Sequence, residues 1–488
     1  MISFSGPRSK SLDALVVDRV ATRLANRDAD LWGAAAAAEA SVRLGWVDAP
    51  TRSRALKFPK PVEHVVLAGM GGSSLAPEVF AKTYGKKLTI IDSVEPVQVA
   101  RSFDDPNSLV IVASKSGGTV ETLSQRKFAE ELGREIVVIT DPGSGLSVWA
   151  NNSGRELFYA DPHVGGRFSA FTAFGLIPAA YLGIDVDELM SEATAALEKV
   201  LRDEESNPAL LLGALLGDQA NSGVDKLVIV DHNGLGDWIE QLVAESTGKE
   251  GKGILPVLIS PDELHEMPAD CLVVHCGQHA SDAVSVVGSI PELMVLWQVA
   301  TVVACRIIGV NPFDQPDVEL AKKAARDHIG KRDEPRFVEN KIVVHASFET
   351  AAAGLAEVLE ELFSFVGPES YLAVQAFVDR EQHKDLSKLP AVLFNRLNRP
   401  VTFGWGPRYL HSTGQIHKGG PHTGVFLQIT TEPEIDHAIP GENFSFGELL
   451  KAQAIGDGQV LAGLGLPVLR LHLTEQKAGV SQLVELLK

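Results

Sequence analysis

From His64 onward the chain alternates short apolar runs, loops of glycine and hydroxyl residues, and stretches of helical periodicity. Val65-Val66-Leu67-Ala68, Leu88–Asp92, Leu109–Ala113 and Glu135–Thr140 are near-continuous apolar runs, the pattern of strands buried on both faces. Helical stretches separate them, so the pattern predicts a doubly wound parallel sheet. Before it, Leu12, Leu15, Val16, Val20 and Leu24 recur at helix spacing, Ala34–Ala40 are strong helix formers, and Pro50, Pro59 and Pro61 mark a boundary. A second set of strands follows at Lys226–Asp231, Gly253–Ile259 and Cys271–His275, with a helix carrying Trp238 to Glu245 after the first of them. Leu293–Val310 is apolar but broken by Gln298 and Arg306, and reads as a buried helix rather than a membrane span. A third set opens with Lys341–Ala346 and includes Tyr371–Ala376 and a glycine-rich segment from Tyr409 to Gly424.

The expected class is α/β: two tandem domains with doubly wound parallel sheets, plus a C-terminal α/β domain. The expected boundaries are a helical segment over 1–60, a first domain over 61–204, a second over 205–335 and a third over 336–488. Glu292-Leu293 leads through an apolar helix to Gly309, and Glu448-Leu449 does the same to Gly465, a faint internal echo.

Charge changes the picture by exclusion. The 488 residues carry 44 Lys and Arg against 63 Asp and Glu, a formal charge of −19. Such a field disfavours non-specific binding to nucleic acid or an anionic membrane, while a local basic pocket can still hold an anion. The cysteines are Cys271, Cys276 and Cys305, too few for a disulfide framework and suited to a reducing cytoplasm. No second Cys/His pair stands at zinc spacing, so Cys271 and Cys276 read as core residues. The N-terminus lacks an apolar signal core, which again suits the cytoplasm.

The candidate chemistry begins with two loops, each directly after a predicted strand. Gly69-Met70-Gly71-Gly72-Ser73-Ser74 and Ser114-Lys115-Ser116-Gly117-Gly118-Thr119-Val120-Glu121-Thr122 offer backbone N–H groups at helix starts and uncharged hydroxyl donors. Neither has nucleotide P-loop or GxGxxG spacing. Either alone can be a tight turn; two at the carboxyl ends of strands in one sheet point to a phosphate cradle. Further along stand Val164-Gly165-Gly166-Arg167-Phe168-Ser169, Glu245-Ser246-Thr247-Gly248-Lys249, and Asn311-Pro312-Phe313-Asp314-Gln315-Pro316-Asp317-Val318-Glu319-Leu320-Ala321-Lys322. By pattern alone Glu245 and Lys322 are solvated helix charges and Arg167 a surface arginine. A carboxylate base, an arginine and a lysine beside a phosphate cradle would suit proton transfer on a phosphorylated sugar.

As whole motifs these segments resemble the glucose-6-phosphate isomerases (phosphoglucose isomerases), whose fold is the sugar-isomerase (SIS) type. The family's Gly-x-Gly-Gly-Ser and Ser-Lys-x-x-x-Thr-x-Glu-Thr loops fall on residues 69–74 and 114–122. The resemblance implies that Ser114, Ser116, Thr119 and Thr122 hold the sugar phosphate and that Gly72 and Ser73 face the sugar. It implies that Glu245, in a Glu-Ser-x-Gly-Lys signature, is the base for a cis-enediolate mechanism and that Arg167 steadies the enediolate. Gln315 and Lys322, in the Asn-Pro-Phe-Asp-Gln-Pro segment, inherit substrate contact and ring-opening assistance. Ala321 stands where the family commonly has glycine, and Gly117-Gly118 where many members carry bulkier residues.

The ring-opening histidine is out of order. The family's Leu-His-Ser-x-Gly-Gln motif appears as Leu410-His411-Ser412-Thr413-Gly414-Gln415, after Lys322 instead of between Glu245 and Lys322. His417 and His422 lie close by as alternatives, and three histidines in one loop leave metal binding open. This placement resembles the isomerase half of transaldolase/phosphoglucose isomerase fusion proteins.

The resemblance implies reversible isomerisation of glucose 6-phosphate and fructose 6-phosphate with no cofactor and no metal. It leaves open a transaldolase fusion partner, a homodimer, activity on mannose 6-phosphate, and a non-catalytic sugar-phosphate sensor. It also prompts the expectation that His411 serves the active site of its own chain.

Overall fold

In the computed structural model the described residues are 2–281, 283–317, 324, 326, 328–329 and 334–487. They form two compact units: Met1–Asp92 with Asp105–Leu264 and Asp270–Gln315, and Ser93–Asp104 with His265–Ala269 and Pro316–Lys488.

The first unit opens with a short strand, β1 (Ser3–Ser5), and a run of short helices. Next come β2 (Val65–Gly69), β3 (Thr89–Ile91), β4 (Leu109–Ala113), β5 (Glu135–Thr140) and β6 (Glu156–Tyr159), a parallel sheet in the order β3-β2-β4-β5-β6. Then β7 (Lys226–Asp231), β8 (Leu255–Ile259), β9 (Cys271–Cys276) and β10 (Val284–Val287) form a second sheet in the order β1-β10-β9-β7-β8. It is parallel except for β1, which runs antiparallel along β10.

Both sheets share one hydrophobic core. Leu67, Ile111 and Ile139 of the first and Leu227, Ile229 and Val274 of the second are buried in it, with residues of the helices Ala173–Tyr181, Pro208–Asn221 and Ile290–Ile308. Ile290–Ile308 is capped by reciprocal hydrogen bonds between Ser289 and Glu292 and stops at Gly309, in the left-handed conformation at φ 78°. It is long and apolar enough to span a bilayer, yet 83% of its apolar window is buried within the protein.

The second unit holds β11 (Phe337–Glu339), β12 (Ile342–Ala346), β13 (Tyr371–Phe377), β14 (Val401–Trp405), β15 (Gly424–Thr431) and β16 (Val468–Leu473), in the order β11-β12-β16-β15-β13-β14. Strands β13 to β16 are parallel, and β12 is antiparallel to both β16 and β11. Side chains alternate across the sheet. Leu372, Val374, Ala376, Leu427, Ile429, Leu469 and Leu471 form one core with the helices Leu355–Ser364, Leu389–Leu397 and Gln476–Leu487.

The three sheets repeat one winding. In each, the first parallel strand lies between the second and the third, and the fourth lies beyond the third. The chain therefore reverses direction across the first and third strands, and the carboxyl ends there are where open α/β sheets bind ligands.

Candidate active site

In the first sheet the reversal falls between β2 and β4, which pair from Val65–Leu109 to Gly69–Ala113. The two hydroxyl-rich loops leave from these adjacent carboxyl ends. In the first loop Gly71 takes φ 53°, and Gly72 lies flat against the Arg167 segment: a Cβ on Gly72 would sit 2.1 Å from the Gly166 carbonyl oxygen. Only glycine permits that approach. Ser169 Oγ donates to the Gly72 carbonyl at 3.1 Å and holds the two segments together. Ser73 is buried.

In the second loop Gly117 is left-handed at φ 65°, where a side chain would strike Ser144. Thr119 caps the helix Val120–Glu131 in extended conformation. Ser114 Oγ and Thr119 Oγ1 lie 3.0 Å apart, and the Gly118 N–H donates to Ser116 Oγ at 3.2 Å. Ser116 is exposed and Thr119 half-buried, whereas Ser114 and Thr122 are buried. The hydroxyls presented to solvent are therefore those of Ser116 and Thr119. Lys115 turns away: its Nζ donates to Asp141 Oδ2 at 2.6 Å and to the Asp161 carbonyl at 3.0 Å.

Arg167 lies in the short 3-10 helix Gly166–Phe171 and is 3% exposed. Its neighbour Phe168 stacks on Trp46 at 5.1 Å, and Phe313 packs on Phe168 at 5.7 Å, which brings the Asn311–Gln315 loop to the guanidinium. Arg167 Nη2 donates to the carbonyls of Pro312 at 2.6 Å and Asp314 at 3.1 Å. Nη1 donates to Gln315 Oε1 at 2.9 Å and reaches Glu245 Oε2 at 3.4 Å, and Nε donates to Ser246 Oγ at 2.9 Å. A planar five-donor fork is the group that can satisfy five partners from two segments at once.

Glu245 sits in the last turn of the helix Gly236–Thr247. That helix is fixed at its start by Asp231, whose carboxylate accepts from the N–H groups of Asn233, Gly234, Leu235 and Gly236. It packs through Trp238, Ile239 and Leu242. Glu245 is 8% exposed, so it is not the solvated surface charge that pattern alone suggests. Gln241 Nε2 lies 3.4 Å from the Glu245 oxygen that faces Arg167.

Lys249 closes the motif and has a place that the sequence reading did not assign. It is buried, and its Nζ donates to the carbonyls of Ser246 and Asn311 and pairs with Asp314 Oδ1 at 2.9 Å. It thereby ties the end of the helix Gly236–Thr247 to the loop that holds Arg167. Burial, then the Arg167 charge, pushes its pKa down to about 8. The signal in the sequence is its place at the end of the Glu-Ser-x-Gly-Lys signature.

In the second unit His411 ends the turn Arg408–His411 and is half-buried. The residues around it are clamped: Tyr409 Oη donates to Asp457 Oδ2 at 2.7 Å, and Lys418 Nζ pairs with Asp457 Oδ1 at 2.6 Å, all three fully or almost fully buried. His417 is also buried, with Nδ1 2.8 Å from Tyr371 Oη, and burial pushes its pKa down to about 3. His422 is exposed, with Nε2 3.1 Å from the Lys418 carbonyl. The three histidines thus occupy different surroundings, and no cluster of three or more metal-ligating side chains occurs among the described residues. Lys322 lies outside the described residues.

So the first unit brings together Gly72, Arg167, Glu245 and Gln315, with Ser73 and Ser114, Ser116, Thr119 and Thr122 on the two loops of the adjoining sheet edge. Residues 53–250 match the family model Phosphoglucose isomerase. A glucose-6-phosphate isomerase of Thermus thermophilus is 33% identical over 231 residues, covering 42% of this chain and 56% of that protein. One of Clostridium novyi is 25% identical over 408 residues, covering 63% of this chain and 90% of that protein. The chain thus spans little more than half the length of the first of these relatives. Among solved structures, a hypothetical protein TT0462 from Thermus thermophilus superimposes with a TM-score of 0.56 at 25% identity, over 68% of this chain and 100% of that one. These matches do not show the transaldolase partner that the histidine's placement suggested. Residues 53–250, which hold both loops, Arg167 and Glu245, match the phosphoglucose isomerase family model, and the chain resembles the glucose-6-phosphate isomerases to which its motifs point.

Proposed function

We propose that this protein is an enzyme that interconverts glucose 6-phosphate and fructose 6-phosphate by proton transfer through a cis-enediolate. The observation that carries the reading is the buried Arg167–Glu245 contact at 3.4 Å, set beside a loop whose Gly72 abuts Gly166. A carboxylate held beside a fixed cation stays ionised and available as a base, and the same cation stabilises negative charge that develops on the substrate oxygens.

In this reading Ser116 and Thr119, with the N–H groups at the start of Val120–Glu131, hold the phosphate. Ser114 and Thr122 support that loop from beneath, and Gly72 and Ser73 face the sugar. The Glu245 carboxylate takes the proton from C2 of the open-chain aldose, leaving an enediolate beside Arg167. It then delivers that proton to C1 while the hydroxyl proton on O2 passes to O1, giving the ketose; no electron acceptor or donor is consumed. Gln315 orients the guanidinium and meets the substrate. Ring opening falls to His411, helped by Lys322, on the strength of their motifs. A cytoplasmic setting suits both the reaction and the free thiols of Cys271, Cys276 and Cys305.

The test is a coupled assay of fructose 6-phosphate conversion with EDTA present, run in parallel on mannose 6-phosphate. Turnover of fructose 6-phosphate to glucose 6-phosphate is the expected result. Failure to turn over either direction, with the phosphate ligand still bound, would make the chain a sensor rather than an enzyme.

A further inference from the structure

The third sheet has two unlike faces. One is the apolar core described above. On the other, Gln375, Gln428, Arg470 and His345 stand side by side in one row across β13, β15, β16 and β12, as the strand registers place them. The helix Phe446–Gly463 contacts β13, β15 and β16. Opposite the row it carries Gly458, where a Cβ would come within 2.7 Å of Gln428 Oε1.

Two adjacent cavities open along this row. One, of about 250 Å³, is lined by Glu334, Arg336, His345, Gln428, Gly458 and Arg470, among others. The next, of about 320 Å³, shares His345 and Arg470 and adds Lys451 and His472. In a chain of net charge −19 this is a local concentration of cationic and imidazole groups with one carboxylate, Glu334, on its wall. His472 is itself occupied, with Thr430 Oγ1 at 3.0 Å from Nδ1 and Glu432 Oε2 at 3.2 Å from Nε2.

A second observation points into the cavity. Gln428 is completely buried, and its Nε2 donates to Gln375 Oε1 at 3.0 Å. Its Oε1 has no protein partner. Turning the amide over exchanges which atom is left, so one polar atom of Gln428 faces Gly458 and the cavity unsatisfied in either assignment. A buried polar group without a partner costs on the order of 1–3 kcal/mol, which a ligand hydroxyl or amine would recover. The combination of cations to balance an anion and a buried amide to meet a hydroxyl defines the ligand class.

We propose that these joined cavities are a binding site for a small phosphorylated polyol, separate from the loops at 69–74 and 114–122. Arg336, His345 and Arg470 take the phosphate, and Gln428 takes a hydroxyl. The size fits, since small-ligand pockets begin at roughly 300 Å³.

The experiment is hydrogen exchange of the full chain with glycerol 3-phosphate, inorganic phosphate or glycerol as probe. A parallel set uses the Ser116→Ala/Thr119→Ala chain, in which the other candidate phosphate site is weakened. Glycerol 3-phosphate should slow exchange in peptides spanning 336–347 and 458–472 in both chains, more effectively than phosphate, with glycerol inert. Arg336→Ala combined with His345→Ala should weaken that protection at least about tenfold, as expected for lost charge-assisted contacts. Ala462→Leu, which narrows the cavity without removing a charge, should weaken it as well. Absence of protection in these peptides at saturating probe, or protection unchanged in all of these variants, would overturn the proposal. Protection by glycerol equal to that by glycerol 3-phosphate would overturn it too.

Discussion

A buried cation organises one unit of this protein and a buried anion organises the other. Arg167 gathers two carbonyls, a hydroxyl, an amide and a carboxylate from two other chain segments. Asp457 gathers a phenol and an ammonium, those of Tyr409 and Lys418, and so fixes the turn that carries His411. The first centre leaves charge in play, because Glu245 shares Arg167 with neutral acceptors. The second is closed, since Lys418 and Asp457 neutralise each other out of water. The difference separates a centre in which one cation serves charged and neutral acceptors together from one in which two charges cancel.

Four perturbations sharpen that contrast. The largest effect belongs to the closed pair. Asp457→Ala leaves the Lys418 ammonium buried without its partner and should destabilise the second unit by about 3–5 kcal/mol, measured by urea unfolding. Replacing both members with apolar residues should cost much less. Arg167→Lys keeps the charge but loses the fork. Isomerase activity should fall by at least about a hundredfold and the unfolding midpoint should fall with it, because a lysine cannot reach carbonyls, hydroxyl and amide together and leaves buried acceptors unpaired.

Lys249 gives a pH signature. Its proton is held less tightly in the folded chain, at about 8, than in an ordinary lysine at 10.5. Between those values the unfolded chain binds more proton, so the Lys249 contribution to stability rises with pH across that window and its penalty is fully present below it. Relative to wild type, Lys249→Met should flatten the rise by at most about 1.4 kcal/mol per pH unit, read from urea unfolding at several pH values. The smallest effects are at the loop. Ser116→Ala and Thr119→Ala should each raise KM by about 1–2 kcal/mol with little change in kcat. Equal loss for phosphorylated and unphosphorylated inhibitors would place the cradle elsewhere.

Most of the architecture could be read from the chain because buried parallel strands are apolar on both faces. Val65–Gly69, Leu109–Ala113, Glu135–Thr140 and Lys226–Asp231 stand where their apolar runs lie. Some of the strands that were not read have a diluted pattern. In β15 and β16, Gln428, Thr430, Arg470 and His472 interrupt the aliphatic residues, and these interruptions are the polar face of the third sheet. The short strand Glu156–Tyr159 lies at a sheet edge with little burial.

The echo between residues 292–309 and 448–465 has a structural counterpart. Both helices start with a reciprocal Ser/Glu cap, and Gly309 and Gly465 are both left-handed, at φ 78° and 79°. Their places in the winding differ, however: one helix follows the fourth parallel strand of its sheet, while the other precedes it.

The Arg167 centre was legible because glycines, hydroxyls and charges are dense and local in its motifs. The Asp457 centre was not. Asp457 stands far along the sequence from Tyr409 and Lys418, and burial is what makes the aspartate matter.

The account rests most on Glu245 as the base. The direct measurement is isomerisation in deuterated water by wild type and by Glu245→Gln, with binding of 5-phosphoarabinonate followed in parallel. The account predicts deuterium entering the product at C1 or C2 with wild type. It predicts a kcat at least about a thousandfold lower for Glu245→Gln, with inhibitor affinity kept within a few-fold. A Glu245→Gln chain that keeps a tenth of the wild-type rate would contradict it.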